Sequence, residues 1–221
     1  MRKYFFIIIA CCLGSCAFAQ IAVRNEPRHH NVFENEYVRL LDVWLAPGDT
    51  TQFHIHATPS VFNMFTKTTT GSQLSGQPPL KSSTSVAGNI WYDSLVTPRI
   101  HRVWNDDTSW YHVMDVELLA GKPHTNEPAL KNEAIQLLFD EPLVRVYHLQ
   151  LSAGGNFQLP LSKSGYVLVS LGEGSVVFQS AGTIQHRVLK AGHYRWVDAG
   201  QELSISAGNG SLPTFTLLQL K

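Results

Sequence analysis

The feature that most constrains the fold of this chain is an internal repeat. Residues 38–65, VRLLDVWLAPGDTTQFHIHATPSVFNMF, lie over residues 144–171, VRVYHLQLSAGGNFQLPLSKSGYVLVSL, without a gap. Val38, Arg39, Leu45, Gly48, Gln52 and Val61 meet Val144, Arg145, Leu151, Gly154, Gln158 and Val167. Further on, Gly71-Ser72 and Ala87-Gly88 are echoed by Gly174-Ser175 and Ala191-Gly192. Two copies of one supersecondary unit explain a strand, a Gly turn, a second strand and a later Ala-Gly turn recurring in one order. Short runs alternate apolar and polar residues in both copies. They include Tyr37 to Leu45, Tyr111 to Leu118, Val144 to Leu151 and Phe215 to Leu220, with Gly, Pro, Asn and Ser between such runs. Period-two alternation at this spacing argues for an all-β sandwich or barrel.

The 221 residues, 44% of them hydrophobic, are enough for two units of roughly 100 residues each. The reading is a barrel over 20–120, a Pro-containing polar linker over 121–133, and a second barrel over 134–221. Residues 67–88, KTTTGSQLSGQPPLKSSTSVAG, are low in complexity and read as a long hairpin or a flap at a barrel mouth.

The first nineteen residues read as an export signal. Arg2 and Lys3 give the positive end, Tyr4 to Leu13 the short apolar run, and Ala17-Phe18-Ala19 a cleavage site before Gln20. This places the mature protein in the periplasm or outside the cell. A second reading makes Leu13-Gly14-Ser15-Cys16 a lipobox, with Cys16 as a lipid-bearing N-terminus. Cys11, Cys12 and Cys16 are the only cysteines, so the mature chain has no disulfide and no thiolate ligand. No later apolar run approaches the length of a transmembrane helix. Lys and Arg number 17 against 17 Asp and Glu, without a basic stripe, so nucleic acid is not an expected partner. A small molecule is, and a homodimer is compatible with the sequence.

His54-Ile55-His56 carries the sharpest chemical signal. In a strand, residues i and i+2 share a face, so both imidazoles point one way. Neutral, they suit a borderline divalent metal; the competing reading is a pair of hydrogen-bonded barrel histidines. The pair follows Pro47-Gly48-Asp49, with five residues between Gly48 and His54, and His101-Arg102-Val103-Trp104-Asn105 comes later. This arrangement resembles the cupin superfamily, whose first motif is a Gly, five residues and H-x-H, and whose second ends in H-x-x-x-N. Residues 26–62 also resemble a group of exported bacterial cupins of little-known function.

The resemblance implies two tandem jelly-roll (double-stranded β-helix) barrels, with His54, His56 and His101 around one metal ion, Fe, Zn, Mn or Ni. It also implies departures. Ser60 and Val61 stand where cupins often carry a glutamate, and the usual Pro-x-Gly before His101 is missing. Three-histidine cupins that oxidise small molecules with iron fit this pattern, and so does a non-catalytic ligand-binding or structural bicupin of the cell envelope. The inner-face candidates for a substrate pocket are Gln52, Ser60, Phe62, Met64 and Arg99, with Trp91 or Tyr92 nearby. The second copy has Pro160 and Ser162 in place of His54 and His56, and Leu203 near the place of His101, so its barrel reads as structural. His29 and His30 precede the first strand and read as outside the ligand set, and His112 reads as a core residue. Metal retention is expected to weaken below about pH 6, the ordinary histidine range.

Intact-mass measurement of protein recovered from an exporting host should give a chain beginning at Gln20. A diacylglyceryl group on Cys16 would instead establish the lipoprotein.

Overall fold

A computed structural model of the protein describes residues 20–119 and 127–221; the expected signal, including the lipobox, and residues 121–126 of the expected linker lie outside the described residues. Among those described, regular structure is strand throughout, apart from one 3-10 turn at Val23–Asn25.

The strands form four sheets. In the first half, one sheet runs His29–Glu34, Val38–Leu45, Tyr111–Leu118, Ser60–Met64, Ile90–Asp93. Its counterpart in the second half runs Ile135–Asp140, Val144–Gln150, Thr214–Leu220, Tyr166–Ser170, Tyr194–Val197. The repeat-bearing strands therefore flank the same third strand in both halves. Facing sheets complete each jelly roll. In the first half the order is Ile21–Ala22, His54–His56, Arg99–Asn105, Thr69–Leu74, Ser83–Thr84; in the second it is Asn156–Leu159, Leu203–Ala207, Gly174–Ser180, Thr183–Leu189. The short strand Ile21–Ala22 has no counterpart, and it pairs parallel to His54–His56.

Physical causes can be named for several repeated residues. Gly48 and Gly154 have φ of 75° and 69°, and Gly88 and Gly192 have 82° and 83°, a left-handed backbone that residues with a Cβ rarely adopt. Arg39 and Arg145 each donate from Nε to a carboxylate directly across the antiparallel pair, Glu34 at 2.8 Å and Asp140 at 2.9 Å.

Both faces of the first large sheet are buried, for two different purposes. Val38, Leu40, Met114 and Val116 point away from the first barrel's interior, into a core shared with Val144, Val146, Val167 and Leu218 of the second half. The two barrels thus stand back to back. Tyr37 stacks on Trp196 at 5.9 Å at the edge of this seam, and the Tyr194 hydroxyl donates to the Val32 carbonyl. The alternate residues face inward, where the barrels diverge. The second interior is filled by fourteen buried apolar residues, among them Tyr147, Phe157, Tyr166, Leu168, Phe178 and Phe215. In the first, the buried apolar cluster is only Val43, Phe62, Met64 and Val113, so the remaining space is left for something else.

Leu218 is fully buried in the shared seam. Leu218→Ala should cost about 2–5 kcal/mol in urea unfolding followed by tryptophan fluorescence. A loss under about 1 kcal/mol contradicts a seam that supports both halves.

Candidate metal centre

Strand register assembles the site. His54 lies directly across from His101, and His56 across from Arg99, in one antiparallel pair. Because residues two apart share a face, His54, His56, His101 and Arg99 all project from the same side of the sheet, into the first barrel. The ring centroids of His54 and His56 are 4.9 Å apart, and the His101 ring lies 4.8 and 5.0 Å from them. His54 Nε2 and His56 Nε2 are 3.1 Å apart. Two nitrogens bound to one ion at about 2.1 Å are roughly 3.0–3.4 Å apart between right-angle and tetrahedral geometry. His101 Nε2 is buried without a hydrogen-bond partner, which a ligand atom would be before its ion binds.

The backbone sets the proton on His54. Its Nδ1 is 2.8 Å from the Gln52 carbonyl, an acceptor, so Nδ1 carries the hydrogen and the Nε2 lone pair is left facing its neighbours. Burial pushes the His54 imidazole down to about 3, reinforced by the nearby His29 and His56 rings and opposed by the Gln52 carbonyl. Burial pushes His101 down to about 2, with His56, His54 and the Arg99 guanidinium adding to it. Both are therefore neutral at pH 7, the form that ligates metal.

The structure adds two groups that the sequence reading left out. His29 opens its strand opposite Val43 and turns into the barrel, with its ring centroid 4.7 Å from that of His54. Ligand atoms of His29, His54 and His56 all lie within 4.8 Å of one another. His30, next in the strand, points outward and is exposed. His29 Nδ1 is 2.8 Å from Glu26 Oε2. Burial alone would raise the Glu26 pKa, but hydrogen bonds from His29 and from the N–H groups of Arg28 and Gln52 outweigh it and hold the carboxyl below its usual range. Asp115 is the second addition. Its carboxyl is buried, neither oxygen has a hydrogen-bond partner, and Oδ2 is 3.4 Å from His56 Nδ1. A carboxylate two residues after Val113, at the inward parity of the strand Tyr111–Leu118, is the sequence signal that could have found it.

No family model and no curated protein matches the sequence. Solved structures do match. The salicylate 1,2-dioxygenase from Pseudoaminobacter salicylatoxidans, as its gentisate adduct, superposes with a TM-score of 0.63 at 10% identity, over 91% of this chain and 75% of that one. The protein YhaK from Escherichia coli gives 0.56 at 16% identity, over 85% and 89%. A cupin 2 conserved barrel domain protein from Leptotrichia buccalis gives 0.56 at 10%, over 87% and 88%. The fold is the bicupin fold.

A cavity of about 460 Å³ opens above the histidines of the N-terminal cupin barrel, within the usual range for small-molecule sites. Phe62, Met64, Arg99 and Trp91 line it, together with Leu74 and Leu80 from the 67–88 segment. Phe62 and Trp91 stack in its wall at 4.9 Å, 11° from parallel.

Two expectations need correction. Gln52 is exposed and does not line the cavity: Thr51 and His54 do, an odd spacing that interrupts the pleat, so Gln52 contributes its backbone instead. Ser60 is buried, but at the start of its strand its hydroxyl turns back to the Thr58 carbonyl, and it is not a cavity residue. Tyr92 alternates with Trp91 and faces the seam, where it packs near Phe139.

In the second cupin barrel the regular strand stops at Leu159, leaving Pro160 exposed beyond it. Ser162 hydrogen-bonds Ser164, and Leu203 is a core residue paired with Leu159. His112 faces away from the metal candidates, with Nε2 2.7 Å from Asp42 and its ring stacked on Trp44.

Burial of His54 and His101 moves proton competition at these two residues well below the ordinary histidine range and makes it a stability effect. Between about pH 6.5 and 3 the unfolded chain protonates both, while the native state does not. Unfolding then takes up protons, so native stability falls as pH falls below about 6.5. Chelator-treated protein should lose thermal stability from pH 7 to pH 4.5, with a smaller loss in His54→Asn. A pH-independent midpoint contradicts neutral burial.

Proposed function

We propose that the N-terminal barrel holds one divalent metal ion on His54, His56 and His101, and that the exported protein carries out dioxygenase-like oxidation of a small molecule bound in the adjoining cavity. The observation that carries this reading is the convergence of nitrogen atoms whose alternative uses are closed off. The Gln52 carbonyl fixes the His54 tautomer, His101 Nε2 has no partner, and His56 Nε2 stands 3.1 Å from that of His54. The donor set is neutral imidazole, which fits Fe, Zn, Mn or Ni in the divalent state and leaves the ion's charge for its substrate. Bound iron would supply Lewis acidity and a site for dioxygen.

The chain's own residues define what enters. The stacked Phe62 and Trp91 form a flat apolar wall suited to a planar molecule. Arg99 is positioned opposite His56; one of its nitrogens pairs with Asp93, while its Nε is buried without a partner and is available to an anionic oxygen. Asp115 stands behind His56 Nδ1, where it favours the tautomer that directs Nε2 to the ion. Leu74 and Leu80 add apolar side chains to the cavity lining. The substrate class that fits is a small planar acid or enolate. The solved neighbours include a dioxygenase bound to gentisate, which agrees with this class.

Elemental analysis of protein purified from an exporting host should find about one iron per chain. His56→Ala should lack it while keeping its far-ultraviolet circular dichroism. Oxygen-electrode assays of the iron protein against a panel of hydroxybenzoates and β-dicarbonyl acids should show uptake with at least one. Stoichiometric zinc without oxygen uptake would replace the oxidative reading with a binding or hydrolytic one, and full metal content in His56→Ala would remove the site.

A further inference from the structure

We propose that His29 is a fourth ligand of the same metal ion, delivered from outside the H-x-H strand and locked in place by the buried carboxylate of Glu26. This rests on the metal-binding reading above and adds to it a residue from the strand that precedes the barrel's repeat.

The case begins with the proton on His29. Its Nδ1 lies 2.8 Å from Glu26 Oε2, so that nitrogen donates and Nε2 is the one left for an ion. Glu26 cannot turn away, because it is about 1% exposed and its oxygens also accept from the N–H of Arg28 at 2.7 Å and of Gln52 at 3.1 Å. A carboxylate behind a histidine is the arrangement that orients a ligating imidazole and raises its basicity.

The two halves of the site share one backbone anchor. Gln52 donates its N–H to Glu26 and accepts at its carbonyl from His54 Nδ1. One peptide segment thus sets the tautomer of His54 and, through Glu26, that of His29. A histidine retained only for packing has no need of that coupling. Nor would it need to approach the others so closely: the ligand atoms of His29, His54 and His56 lie within 4.8 Å of one another. Ligands of one ion at about 2.1 Å are about 3.4 Å apart in a tetrahedron and about 4.2 Å apart when opposite, so the widest pair must close by roughly 0.6–1.4 Å as the ion binds.

The chemistry of the donor set also changes. With Ser60 and Val61 where a ligating glutamate would stand, the inner ligands are imidazoles alone, and the Glu26 carboxylate lies behind the His29 ring, 2.8 Å from Nδ1. Four imidazoles leave fewer open positions than three, and they tie the segment from Ile21 to Glu34 to the ion.

The test is a cobalt(II) titration of the chelator-treated mature protein. Wild type should bind one ion per chain. His29→Gln should bind at least tenfold more weakly, with a changed intensity of the visible cobalt bands, whereas His30→Gln, at the exposed neighbour, should match wild type. X-ray absorption of the zinc-loaded wild type needs no variant and should count four imidazoles, falling to three in His29→Gln. Three imidazoles in wild type, or unchanged affinity and spectrum in His29→Gln, overturn the fourth ligand and leave the three-histidine site standing. If wild type binds no ion at all, both readings fall together.

Discussion

The pleat of two neighbouring strands, Val38–Leu45 and Tyr111–Leu118, separates the two environments on which the molecule depends. Successive side chains go to opposite faces, so Val38, Leu40, Met114 and Val116 enter the seam between barrels while Val43, Val113 and Asp115 enter the first barrel. A register slip of one residue would exchange the two sets, putting a carboxyl into the apolar seam and valine against the histidines. Hydrophobic burial on the outer face therefore fixes the geometry of the polar inner face. The metal candidates need no separate device to bring them together, because the partner strand places His101 opposite His54 by the same rule.

What the sequence made legible follows from that rule. The repeat marked 38–65 and 144–171 as equivalent strand–turn–strand units, and H-x-H parity gave the common face of His54 and His56. Phe62 and Met64 followed by the same parity. Parity failed at Gln52, where the chain leaves the pleat between Thr51 and His54, and no residue pattern marks the irregularity. It was insufficient at Ser60, which has the right parity but sits at the strand's start, below the cavity. His29 escaped for a different reason: its place depends on a strand pairing with Val43 and on a buried Glu26, both tertiary facts. Asp115 lay in plain view as a carboxylate at inward parity, and only the structure shows that it is buried, without a hydrogen-bond partner, beside His56.

A cluster of buried imidazoles is costly to charge and cheap to leave neutral, and this asymmetry gives the site its character. Burial depresses His54 and His101 far enough that protons do not compete for them near neutrality. The carboxyl groups of Glu26 and Asp115 stand behind imidazole Nδ1 atoms, so negative charge orients the rings from outside. An acidic small molecule entering beside Arg99 would then bring the anionic oxygen that this donor set lacks.

The back-to-back seam has a consequence for the independence of the two barrels. A hollow barrel is a poor independent folding unit, since the contacts its empty interior forgoes must come from elsewhere. Here they come from a sister copy that has filled its own interior with aromatic and aliphatic side chains. The two copies thus differ in their interiors, one keeping an open chamber and the other filled with apolar side chains. The arrangement is hard to reverse. Separating the copies would strip Leu40, Val61, Met114 and Val116 of their cover and present an apolar sheet face to water. Each barrel therefore depends on the other for the cover of its back.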